Sequence, residues 1–234
     1  MTSFSKITCL FTAVALSLVI VTSAQAATFD ASADFSGTQN GGSNPWSYLN
    51  GATGALLPAY QYCPGCANDL GQNNRVWNDN NTVVPLIGKL DFSGHPTGGG
   101  DAPNDMAAND MFVHGNALLR LTIPNTVAAG SAATISGEIW QPRNRAYPAS
   151  LKHNGANLPG SPFEVHRSQN TSSSKLTAPL SHSITVNPGD TIDLHMPNDF
   201  MAFNLSVDVV PEPASCLLLG IGILGMVCLR RRQG

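Results

Sequence analysis

No stretch between the two ends of this chain carries a long apolar period of 3.6 residues. Short runs of period two take its place, each broken by Gly, Pro, Asn or Asp. In a strand, successive side chains point to opposite faces, so such a run buries one face and needs a second layer to cover it. Thr28-Phe29-Asp30-Ala31-Ser32-Ala33-Asp34-Phe35 alternates cleanly. Residues 83–92 form a second run, where Pro85 predicts an edge or a bulge because proline cannot donate to a ladder. Residues 117–123 and 133–140 are two more. Residues 149–153 and the Asn154-Gly155 turn read as a hairpin. Residues 183–186, the Asn187-Pro188-Gly189-Asp190 turn and residues 191–196 form the clearest unit, with Pro-Gly as a type II signature and Ile184, Val186, Ile192, Leu194 and Met196 able to face one core. Residues 203–209 close the domain as a last strand, and the whole predicts an all-β sandwich. Residues 94–109, rich in Gly, Pro, Asp and Asn, predict one long loop.

The two ends follow other rules. Residues 1–26 read as a signal peptide, with Lys6 in the n-region, an apolar run over residues 7–21, and a small-residue cleavage site at Ala24-x-Ala26. The apolar run at residues 214–229 spans only about 24 Å as a helix, against a hydrocarbon core near 30 Å. It reads as a short single transmembrane helix, with Arg230, Arg231 and Arg232 held in the cytoplasm and the body outside. Three domains result: signal peptide 1–26, β-sandwich ectodomain 27–210 and tail 211–234.

The formal net charge of the whole chain is −3. Without its ends the body keeps eight basic and fourteen acidic side chains, an excess of six acids that the tail arginines hide. An acidic body with no basic patch argues against nucleic acid as a partner.

Pro211-Glu212-Pro213, an apolar segment and Arg230-Arg231-Arg232 resemble the PEP-CTERM sorting signal of bacteria. The resemblance implies recognition by exosortase, a membrane-embedded enzyme that cuts near the Pro-Glu-Pro. With signal peptidase at the other end, it implies transient anchoring in the inner membrane, then the cell surface or extracellular matrix. The two prolines hold Glu212 in extended chain, the form a protease binds. Along the body, Trp46-Ser47-Tyr48, His114-Gly115, Arg120-Leu121-Thr122-Ile123-Pro124, Ile135-Ser136-Gly137-Glu138-Ile139-Trp140, Asn154-Gly155 and Gly189-Asp190-Thr191-Ile192 are similar, in order, to segments of many PEP-CTERM ectodomains. Leu121 stands where those have Trp, and no Pro follows His114. The resemblance implies a jelly-roll-like β-sandwich of the kind found in carbohydrate-binding modules, and a Gly-Asp-x-Ile hairpin at residues 189–192.

The body keeps two cysteines, Cys63 and Cys66 in Tyr-Cys-Pro-Gly-Cys-Ala. Outside the cytoplasm two close thiols oxidise to each other, so a disulfide across the Pro-Gly turn is the first reading. Metal binding and redox chemistry stay open behind it. No nucleophile elbow, H-E-x-x-H or phosphate-binding Gly loop occurs, so the body is read as no enzyme, with an unrecognised hydrolase a distant third reading. No cofactor is expected beyond a structural Ca²⁺, for which Asp30, Asp34 and Asp208 are the candidates.

Sugar contact would use exposed rings whose apolar faces stack on pyranose C–H groups. Tyr60, Tyr62, Trp77 and Tyr147 lie near Asn/Pro/Gly-rich stretches and are the surface candidates, while Trp46 and Trp140 read as core. The leading expectation is an exported surface or matrix protein with a structural or adhesive role. The alternative is a carbohydrate-binding module that recognises exopolysaccharide.

Overall fold

The structure is a computed structural model and describes residues 26–62, 75–79, 84–90, 106, 108–142, 146–165, 178–197 and 200–211. Its elements are β1 (Ala27–Asp30), β2 (Trp46–Asn50), β3 (Ala59–Tyr62), β4 (Arg75–Asn78), β5 (Leu86–Lys89), β6 (Met111–His114), β7 (Ala117–Thr122), β8 (Ser131–Trp140), β9 (Tyr147–His153), β10 (Ala156–Asn157), β11 (Phe163–Val165), β12 (Ala178–Val186), β13 (Thr191–Met196) and β14 (Phe200–Val210). They form two antiparallel sheets. One runs β12-β8-β14-β6-β5-β4-β3, with β1 beside β14; the other runs β10-β9-β13-β7-β2, with β11 beside β9.

The strand order from β6 onward is a jelly roll. β6 pairs with β14, β7 with β13, β8 with β12, and β9 with β10 and β11. These pairs make one long antiparallel ribbon that folds over itself, so that successive limbs alternate between the two sheets. β3, β4 and β5 extend the first sheet beyond β6, and β2 extends the second beyond β7.

Period two explains what lies between the sheets. On β14, Phe203, Leu205, Val207 and Val209 are buried while Asn204, Ser206 and Asp208 are not. The buried set joins Ile135, Ile139, Leu119, Leu121, Ile192, Leu194, Met196, Trp46 and Tyr48 in one core. A second cluster lies elsewhere: Val76, Leu86, Leu90, Met106, Phe112, Trp140, Phe200 and Ala202. Phe112 and Phe200 stack there with centroids 5.7 Å apart.

Several expectations need correction. The Asn187–Asp190 turn does not join a hairpin: β12 pairs with β8 in one sheet, and β13 with β7 and β9 in the other, so the turn is an arch between layers. β5 is interior, flanked by β4 and β6, and Pro85 escapes the ladder by preceding the strand. The alternating run from Thr28 stops at Asp30, whose carboxylate accepts the N–H groups of Ser32 (2.9 Å) and Ala33 (2.8 Å) and turns the chain. The Asn154-Gly155 turn is as expected, with positive φ at both residues (50° and 80°), the type I′ requirement.

The signal peptide through Gln25, the tail from Glu212, Cys63, Cys66 and most of the loop at 94–109 lie outside the described residues. Among the described residues no helix is long and apolar enough to cross a membrane.

Candidate functional site

The two ends of the body leave from one pole. Ala27 of β1 is the register partner of Val209, and Val210 is opposite Ala132 at the start of β8. Ala26 precedes β1 directly and Pro211 follows β14 directly. The two processing positions expected from the sequence therefore emerge side by side.

Three turns surround that exit. β12 ends opposite the start of β8, with Thr185 against Ala132, so the arch at 187–190 caps the same pole. Asn187 Oδ1 accepts the N–H of Gly130 (3.0 Å), tying in the turn that leads into β8. Asn154 Nδ2 donates to Asp190 Oδ1 (2.9 Å), and Asn154 Oδ1 accepts the N–H of Thr191 (2.8 Å). Asp190 Oδ2 accepts the N–H of Asn187 (2.8 Å) and meets His153 Nε2 at 3.2 Å. The Asp190 carboxyl is held below the usual carboxylate range, first by Asn154, then by the Asn187 N–H and His153.

The outer face of the second sheet carries a charged row. Arg120 Nε and Nη2 donate to the two oxygens of Asp193 at 2.7 and 2.8 Å, a planar fork that Lys could not reproduce. Asp193 raises the Arg120 pKa above its ordinary value. In the next row His195 Nε2 lies 2.9 Å from Asn116 Oδ1. Burial, helped by the charge of Lys152, pushes His195 below its ordinary 6.5 against the pull of Asp193.

The signs of these shifts agree. A lowered histidine favours its neutral form in the fold, so its contribution is complete above 6.5 and declines as pH falls below it. A lowered carboxyl contributes above its ordinary 3.8 and loses that contribution as pH falls further. Urea midpoints taken from about pH 8 to about pH 3 should fall in two steps. His195→Gln should remove the upper step and Asp190→Asn the lower one.

The candidate ligand rings occupy strands rather than loops. Trp77 on β4 is only 7 % exposed, which corrects its assignment to the surface. Its Nε1 donates to the carbonyl of Ser36 (2.7 Å), and its ring packs on Tyr48 (6.1 Å) and Tyr60 (5.4 Å). Tyr60 on β3 is half-buried between Trp77 and Phe35, and Tyr147 at the start of β9 is half-buried against the core. Tyr62 ends β3 opposite Arg75. No open shelf joins Tyr60 and Trp77.

The calcium candidates are separated in their work. Asp30 turns the chain, Asp34 Oδ2 accepts the Asp30 N–H (3.0 Å) and Trp46 Nε1 (3.2 Å), and Asp208 Oδ1 accepts the Thr28 hydroxyl (2.6 Å). Among the described residues no group of three or more His, Cys, Asp or Glu is placed to hold a metal ion. An open groove of about 410 Å³ beside Asp30 is lined by Ser32, Lys89, Asn109, Asp110 and Asn204. Lys89 Nζ spans part of it to the Ser32 carbonyl (2.9 Å).

The fold defines a class, a jelly-roll β-sandwich, and its last strand ends at Val210, directly before Pro211-Glu212-Pro213 in the sequence. The chain carries the PEP-CTERM protein-sorting motif, whose family model matches residues 209–232. The match marks an exported protein sorted through its C-terminal tail. No curated protein matches the chain. Among solved structures, the chain is similar to the CBM35 of Paenibacillus barcinonensis at 9 % identity and a TM-score of 0.33, covering 80 % of this chain and 99 % of that one. It is also similar to a family 35 carbohydrate binding module of Clostridium thermocellum at 15 % identity and a TM-score of 0.28, covering 42 % and 76 %. A CBM36-1 domain of a multidomain xylanase from the hindgut metagenome of Trinervitermes trinervoides gives 15 %, 0.29, and 52 % and 92 %. At such scores the strand order, and not these likenesses, establishes the fold.

Proposed function

We propose that this chain is a bacterial surface or extracellular-matrix protein with a structural or adhesive role, released from the inner membrane through its tail. Signal peptidase cuts after Ala26, and exosortase acts at Pro211-Glu212-Pro213. The observation that carries this is the direct junction of β14 with the sorting motif. A tail that begins where a ladder ends can be removed without loss of a core strand. The body also packs its Trp77 ring away from solvent, which supports a structural role over an aromatic sugar platform. Weak contact with extracellular polysaccharide then falls to Tyr60 and Tyr147. Cys63 and Cys66 are proposed as a disulfide.

Changing Pro211, Glu212 and Pro213 together to alanine tests the reading. The variant should melt like the parent yet stay in the inner-membrane fraction, while the parent reaches the surface or medium. Identical distribution of the two would refute it.

A further inference from the structure

We propose that the pole built from residues 124–130, 154–155 and 187–190 is the membrane-facing surface of the precursor, and that the phospholipid headgroup layer is its partner. The inference rests on the reading that the tail sits in the membrane before release.

Chain length is the first argument. Four residue steps separate Val210, the last ladder residue, from Ala214, where the apolar run begins. Fully extended, they reach about 14 Å. The interfacial layer on each side of the hydrocarbon takes up roughly 6 Å of that. Since Val209 pairs with Ala27, the signal peptide tethers the same pole until it is cut. Six steps separate Ala27 from Val21, a reach of about 21 Å. The shorter tether holds this pole within about 8 Å of the headgroup layer, and the longer one within about 15 Å. β8, ten residues long, carries the opposite pole about 30 Å further away.

Charge is the second argument. The body is acidic, and an anionic leaflet repels exposed carboxylates. In the three turns of this pole the exposed side chains are neutral, among them Asn125, Thr126, Ala128, Ala129 and Pro188, and on the adjoining strand Asp208 is engaged by the Thr28 hydroxyl. Its one loop carboxylate, Asp190, is 17 % exposed and is held by His153, Asn154 and the Asn187 backbone. The network that ties the three turns together also pairs that charge with donors. The pole is thus a cross-braced cap whose single loop carboxylate is paired, able to rest against lipid while the tail is engaged.

The test uses the tail-bearing chain purified from cells lacking exosortase and reconstituted into vesicles of phosphatidylethanolamine and phosphatidylglycerol with a nitroxide-labelled headgroup. A fluorescent unnatural side chain is placed at Ala129 or, separately, at exposed Thr53 in the turn after β2 at the opposite pole. Emission from position 129 should be strongly quenched and emission from position 53 nearly untouched. Protein that floats with the vesicles but shows equal quenching, none, or the reverse order overturns the orientation alone. Protein that fails to float overturns the membrane-tail reading and this inference with it.

Discussion

Trp77→Ala should lower the melting temperature of the body by roughly 6–20 °C, because emptying a buried indole site costs about 3–5 kcal/mol and each kcal/mol moves a domain of this size by about 2–4 °C. The ring is 7 % exposed, stacks with Tyr48, packs at a tilt on Tyr60, and gives its N–H to the Ser36 carbonyl. Truncation removes that donor and leaves the carbonyl to find another. A ring serving as a sugar platform behaves oppositely: its loss weakens binding and spares stability. Differential scanning calorimetry of the two proteins separates the cases, and an unchanged melting temperature would contradict the placement of Trp77 in the core.

Gly137→Ala should be comparably damaging, by about 2–6 kcal/mol, the sum of backbone strain and overpacking. Gly137 sits mid-strand in β8 at φ 148°, between Leu180 of β12 and Leu205 of β14. A Cβ there would press into the Asn204 carbonyl across the ladder. That carbonyl is backbone of a central strand and cannot swing aside as a flexible side chain would. Gly155, with φ 80° but nothing within 4 Å of the point where a methyl would stand, carries strain without overpacking and should cost about 1–2 kcal/mol as alanine. Urea denaturation of both variants reads the difference. Equal, small losses at the two positions would show that β8 and β14 pack more loosely than this close approach requires.

Much of the sandwich is legible as local alternation. The runs at 133–140 and 203–209 become β8 and β14, and Asn154-Gly155 is a turn because few residue pairs accept positive φ twice in succession. Sheet membership is a different matter. The Asn187–Asp190 turn looks the same in sequence whether its arms pair or part, and only distant partners, β8 for one arm and β7 and β9 for the other, decide it. Trp77 is hidden for a related reason. Asparagines at 73, 74, 78, 80 and 81 surround it, so polarity suggests a loop, whereas one inward ring on a short strand is enough to close a core. The exit pole depends on contacts such as Asn154 to Asp190, 36 residues apart, which no local pattern announces. The sorting motif is legible without any fold, because another protein reads it as linear order: prolines, an apolar run, arginines.

The central claim, removal of the tail by exosortase at the end of β14, is tested most directly by intact-mass analysis of the protein recovered from its own host with and without exosortase. The account predicts a mature chain that begins at Ala27 and ends within Pro211-Glu212-Pro213 when the enzyme is present, and one that keeps residues 214–234 when it is absent. The same mature C-terminus in both strains, or an end upstream of Val210 inside the ladder, would contradict it.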